Sequence, residues 1–420
     1  MTRPDDQSDA LTVDQLTIDE DELVAITRRL VRGPGTNPPG EEEARALELA
    51  AIARELGLEV ELTQVAPGRP NVTVTLPATA SVGAPGNGSD DGLGDEHGAL
   101  LLLGHTDVVP LGDGWTREPF GAQLEDGRIY GRGSTDMLGG LAACLVAMAA
   151  LRRAGTPLTG DVVLVAAVDE EELGLGIRDW IARPLPHLAG CIVAEPTSLQ
   201  PIVAARGDSY LQIDVRGVAA HAGRPDDGRN AIYGAAAVVT ALEQWHADLA
   251  AEPLVLDGMV GAATLNVGTI RGGQATSTVP PHCVVDVDRR LLPGEDPAQV
   301  LAEARRRIDA LDLPSRGLSV ECAMTMDMPG FATDPSGPFV RAVLAALDAA
   351  GGPGLPPAGW TAACDGGFVA RETGAPVVVL GPGSVTEQAH RPDESVGVDE
   401  LAVAARCYAR VAATVLARRQ

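Results

Sequence analysis

Apolar residues fall into two kinds of run along this chain, and the contrast predicts its domains. Short, nearly continuous apolar stretches such as ALLLLGH (99–105), DVVLVAAV (161–168) and GCIVAEP (190–196) alternate with helix-like stretches such as MLGGLAACLVAMAALRRAG (137–155). Strands buried on both faces read this way, and their alternation with helices predicts βαβ units and a mostly parallel sheet. From Gly207 the pattern changes to strict alternation, in SYLQIDVRG, ATLNVGTI, HCVVDVDRRL and LSVECAMTM, with helical patterns in 230–249 and 298–311. Strands half-exposed on one face, plus two helices, predict an α+β layer. Near residue 335 the first pattern returns with a helix (337–351), the buried-type run APVVVL (375–380) and a last helix (399–419). The expected architecture is an α/β domain over 20–204 and 325–420, interrupted by an α+β insert at 205–324. A disordered acidic tail is expected over 1–19, and a solvated Gly/Ser/Asp-rich loop over 81–98. Upstream, 21–35 and 36–60 predict helices, the second capped and opening on an acidic turn, and NVTVTLPA (71–78) a strand.

The apolar runs end in chemistry. His105 closes the first, Glu170 and Glu171 follow the second, and Glu195 closes the third. Asp136 follows the glycine-rich turn YGRGSTD, and His390 lies in the loop after APVVVL. Open α/β sheets bind ligands beyond the carboxyl ends of their strands, so these groups predict one polar site. Taken singly each has an ordinary reading; Asp136, for example, could cap the helix starting at Met137. Two imidazoles and several carboxylates, with no suitably spaced cysteines, together suit a pair of zinc-type cations.

Composition narrows the chemistry further. All 32 basic residues are arginine. Without lysine there can be no Schiff base, no lysine-anchored pyridoxal phosphate and no P-loop. A net charge of −26 argues against nucleic acid and anionic membranes as partners. The N-terminal segment has no apolar signal core, and six cysteines (144, 191, 283, 322, 364, 407) lack any CxxC pair. A cytoplasmic protein with small buried thiols is expected. No GxSxG elbow supports a serine hydrolase.

LLLGHTDVVP, YGRGSTDMLGG, VDEEELG, AEPT, GVAAHAGRP and GPGSVTEQAHRPDE, in that order, resemble the M20 metallopeptidase/deacylase family. The resemblance begins at NPPG (37–40) and runs to the last helix. It implies that His105, Asp136 and Glu195 bind one metal and that Asp136, Glu171 and His390 bind a second. The ions would be zinc, with cobalt or manganese as alternatives. Glu170 would be the general base, Asp107 the partner orienting His105, and His221 the oxyanion donor. The peptide after the bridging aspartate would be cis. The insert would be a ferredoxin-like lid that forms a homodimer. Arg206 and Arg290 resemble substrate-carboxylate binders, whereas Ser277 departs from the asparagine common before VP. The implied activity is removal of the acyl group from an N-acyl amino acid, as by acetylornithine deacetylases and succinyl-diaminopimelate desuccinylases. A dipeptidase or carboxypeptidase on a peptide substrate is the alternative.

Overall fold

A computed structural model of the chain describes residues 16–79 and 98–417. Of the loop expected over 81–98, residues 81–97, His97 among them, lie outside the described residues, as does the tail through residue 15. The chain divides into two compact units, one of 1–203, 333–358 and 368–420, the other of 204–332 and 359–367.

In the first unit the sheet order is Glu59–Ala66, Arg69–Leu76, Val162–Ala167, Ala99–His105, Leu188–Val193, Val377–Val379, Ile202–Ala205. Its four middle strands are parallel, and the strands outside them pair antiparallel, which makes the sheet mixed. Every residue of Ala99–His105 is buried, as its unbroken apolar run requires of a central strand. Helix Gly139–Ala154 packs on Val398–Val415, and that helix on Pro338–Ala349. The stretch Ser134–Ala154 is long and apolar enough to cross a membrane, yet its apolar part, through Leu151, is buried inside the fold.

One element differs from expectation. The helical reading of 36–60 shrinks to Glu43–Glu55, and 59 onward is a strand. Gly57, at φ 75°, turns the chain there. That helix has no side-chain cap, because the Glu42 carboxylate is buried and accepts from Arg69 instead.

The second unit is a four-stranded antiparallel sheet in the order Thr264–Gly272, His282–Leu291, Gly207–Arg216, Ser319–Met328. Helices Ala231–Ala251 and Pro297–Asp309 complete a βαββαβ, ferredoxin-like unit. They close one core with Leu211, Ile213, Val215, Val285 and Val287 from the sheet. The unit ends later than residue 324, because Ser319–Met328 runs through that point, and it recruits 359–367 besides.

Candidate metal centre

Parallel pairing sets His105 beside Ala167 and Leu103 beside Val193. The residues that follow three adjacent strands therefore emerge at one edge of the sheet. His105 Nε2 lies 3.3 Å from Asp136 Oδ1 and 3.4 Å from Glu195 Oε1. His390 Nε2 lies 3.3 Å from Asp136 Oδ2 and 3.2 Å from Glu171 Oε2. Within His105–Asp136–Glu195, and again within Asp136–Glu171–His390, one donor atom from each residue lies within 4.8 Å of the others. Asp136 turns one oxygen to each imidazole, the disposition of a carboxylate that bridges two cations. Glu170 stands at the first group, its Oε2 3.9 Å from His105 Nε2.

Local backbone explains how Asp136 reaches this place. The helix begins at Gly139 and draws no side-chain cap, so Asp136 is not a capping residue. It sits at φ −116°, ψ 95° in an irregular turn entered through Gly133 at φ 83°, and its peptide bond to Met137 is cis. Buried Glu394 organises that turn. Its carboxylate accepts from the backbone N–H groups of Gly133 (3.0 Å), Thr135 (2.9 Å) and Asp136 (3.0 Å) and from Arg132 (2.7 Å). The motif HRPDE contains Glu394 four residues after His390, yet spacing alone gives no sign of that role.

The electrostatics call for positive charge. Burial pushes the Glu195 carboxyl well above the usual carboxylate range, and burial with neighbouring Asp136 raises Glu171. Burial works against the His105 imidazolium, yet Glu195, Asp107 and Asp136 outweigh it and raise the pKa. Hydrogen bonds with Asp136 and Glu171 raise His390 to about 10. Burial opposes ionisation of Asp136, but the two imidazoles hold its carboxyl low. Protons thus balance a cluster whose nitrogen and oxygen donors, without thiolate, suit divalent cations. The residues fit two such ions.

Asp107 lies beside the His105 ring and has a second place besides. His105 Nδ1 is 3.0 Å from the backbone carbonyl of Asp107 and 3.5 Å from its carboxylate. The carboxylate oxygens accept from the backbone N–H groups of Glu170 (3.2 Å) and Glu171 (3.1 Å). Asp107 thus meets the imidazole with both its carbonyl and its carboxylate, and the same carboxylate holds the acidic turn.

A model of peptidase family M20/M25/M40 matches residues 101–414. The acetylornithine deacetylase of Yersinia pestis is 31% identical over 362 residues, 83% of this chain and 84% of that protein. The chain belongs to the M20 family. An M20 metallo-carboxypeptidase from Sulfolobus solfataricus has the same fold, with TM-score 0.74 at 20% identity over 94% of this chain and 99% of that one. So does a dinuclear metal-binding M20 peptidase from Bacillus subtilis, with TM-score 0.67 at 15% identity over 94% and 98%. This M20 chain is a metal-dependent amidohydrolase for two divalent cations.

The remaining expected residues lie in the second unit. His221 is exposed, its Nδ1 accepting from Gly223 N–H at 3.0 Å, and it is not part of either ligand group. Ser277 is beside it, its carbonyl accepting from Ala222 N–H at 2.9 Å. Arg290 is held by Asp288 at 2.9 Å and Asp208 at 3.1 Å, and Arg206 donates to the Val260 carbonyl at 2.5 Å. All six cysteines are buried and free.

Proposed function

We propose that this M20 enzyme hydrolyses N-acyl amino acids, in the manner of an acetylornithine deacetylase, with two zinc ions. The observation that carries the reading is the double ligand group sharing Asp136, with Glu170 beside it. The 31% identity to a named deacetylase over most of both chains supports deacylation over peptide cleavage. Bound at His105, Asp136 and Glu195, and at Asp136, Glu171 and His390, two divalent cations would acidify a water and polarise the scissile carbonyl.

The chain's own residues supply the rest. Glu170 accepts the proton of the attacking water and hands it to the departing amine nitrogen. Asp107 holds the backbone of Glu170 and Glu171 so that the base keeps its position while the proton moves. By the family resemblance, His221 donates to the oxyanion, and Arg206 or Arg290 grips the substrate carboxylate through its planar fork. A homodimer built through the second unit and a cytoplasmic location complete the proposal. Six buried, unbridged thiols support that compartment.

The test is a panel of N-acetyl and N-succinyl amino acids and dipeptides offered to the zinc-loaded enzyme and to Glu170→Gln. N-acyl amino acids should turn over fastest. Glu170→Gln should keep its cations and lose at least about 10²-fold in kcat. Faster cleavage of dipeptides would replace deacylation with the peptidase reading, and full activity in Glu170→Gln would remove the base assignment.

A further inference from the structure

We infer that Asn37 is a positioning residue for the general base, because its side-chain amide ties together the two buried carboxylates that hold the turn bearing Glu170. Asn37 Nδ2 donates to Asp107 Oδ2 and to Asp169 Oδ1, both at 3.0 Å. All three residues are at most 3% exposed. A primary amide nitrogen has two N–H groups, and here each meets a different carboxylate. Without it, the two buried carboxylates would lose the one group that joins them, and each would keep only its other donors.

Each carboxylate grips the turn at a different point. Asp107 accepts from the N–H groups of Glu170 and Glu171. Asp169 Oδ1 also contacts Arg69 at 2.8 Å, and Arg69 in turn holds buried Glu42. The Asp169 carbonyl accepts from Leu173 at 3.2 Å and Gly174 at 2.6 Å, which closes the turn. Asp169 itself sits at φ 68°, in the left-handed region that aspartate adopts more readily than most non-glycine residues. Asn37 is fixed from its own side as well, its N–H donating to the Val108 carbonyl at 2.9 Å. The amide therefore joins the loop bonded to Val108, just past the His105 strand, to the turn carrying Glu170. It reaches no reacting atom and acts through Asp107 and Asp169.

No other uncharged side chain of similar size offers the same two donors at this reach. Serine keeps one donor, alanine none, and aspartate would add a third anion. The assignment rests on the reading of Glu170 as base, so its test has a part that needs no activity. Hydrogen–deuterium exchange on the cation-free full-length protein should show faster exchange over residues 169–175 in Asn37→Ala, with strand Val162–Ala167 unchanged. In the loaded enzyme kcat should fall about 10–100-fold with KM and cation content little changed. Asn37→Ser should fall between wild type and Asn37→Ala, and it decides the matter by the same readings if Asn37→Ala does not fold.

Unaltered exchange over 169–175 overturns the inference. So does faster exchange throughout the first unit, which would mean general packing, or a loss of kcat that tracks loss of cation. If the wild type turns over nothing on the substrate panel, the functional reading fails while the exchange result still judges Asn37.

Discussion

At the scale of single residues, the centre is a problem of charge. Three carboxylates of the candidate ligand groups, with Glu170 beside them, meet two imidazoles in a mostly buried place. In the cation-free protein, Asp136 and Glu171 hold the His390 pKa at about 10. A ligating imidazole must be neutral, so cation binding at neutral pH expels a proton from His390. The sign follows: a group raised in the free form opposes binding below its pKa, so affinity rises as pH climbs toward 10. The gain is up to about tenfold per pH unit for each proton released. Calorimetry in buffers of differing ionisation enthalpy reads the released proton directly; affinity that stays flat from about pH 6 to about pH 9 contradicts it. The residues of the two candidate ligand groups were legible in the sequence because each is of a metal-binding type and His105, Glu171 and Glu195 close or follow apolar runs, while Asp136 follows a glycine-rich turn and His390 lies in a loop. Asn37 and Glu394 were not legible as supports. An asparagine in a proline turn and an acid in an exposed-looking motif acquire their roles only from partners 132 and 258 residues away in sequence.

At the scale of elements, close approach of backbone to backbone sets the ligand positions. A Cβ on Gly140 would lie 2.2 Å from the carbonyl oxygen of Ala194, next to the candidate ligand Glu195. Gly140→Ala should force helix Gly139–Ala154 away from that strand end. Overpacking of this kind costs about 1–3 kcal/mol. Thermal unfolding should show a lowered midpoint, and metal analysis should show weakened occupancy of the His105 group; an unchanged midpoint and full occupancy would refute the contact's importance. The periodicity that foretold the central strands could not foretell the strand Glu59–Ala66. Its exposed and half-buried residues carry little apolar signal, and the helical pattern before it masked the break at Gly57.

At the scale of the whole molecule, all five residues of the two candidate ligand groups belong to the first unit. A cation at about a hundred times its Kd adds about 2.7 kcal/mol to the stability of the fold that binds it. Chelation should therefore lower the unfolding transition of the first unit and leave that of the second in place, as differential scanning calorimetry with and without zinc would show. Equal shifts in both would mean that the ions stabilise the chain by another route. The sequence by itself determined the two kinds of layer, because burial on one face or both dictates which positions must be apolar. It also determined the donor set, because absent lysine and thiolate pairs left carboxylate and imidazole. Tertiary structure alone decided where the second unit ends and that Asp136 faces both imidazoles. It also decided that the Asp107 side chain grips the Glu170 turn while its carbonyl meets His105. These are relations between segments far apart in the chain, and a pattern of neighbouring residues carries no distance between them.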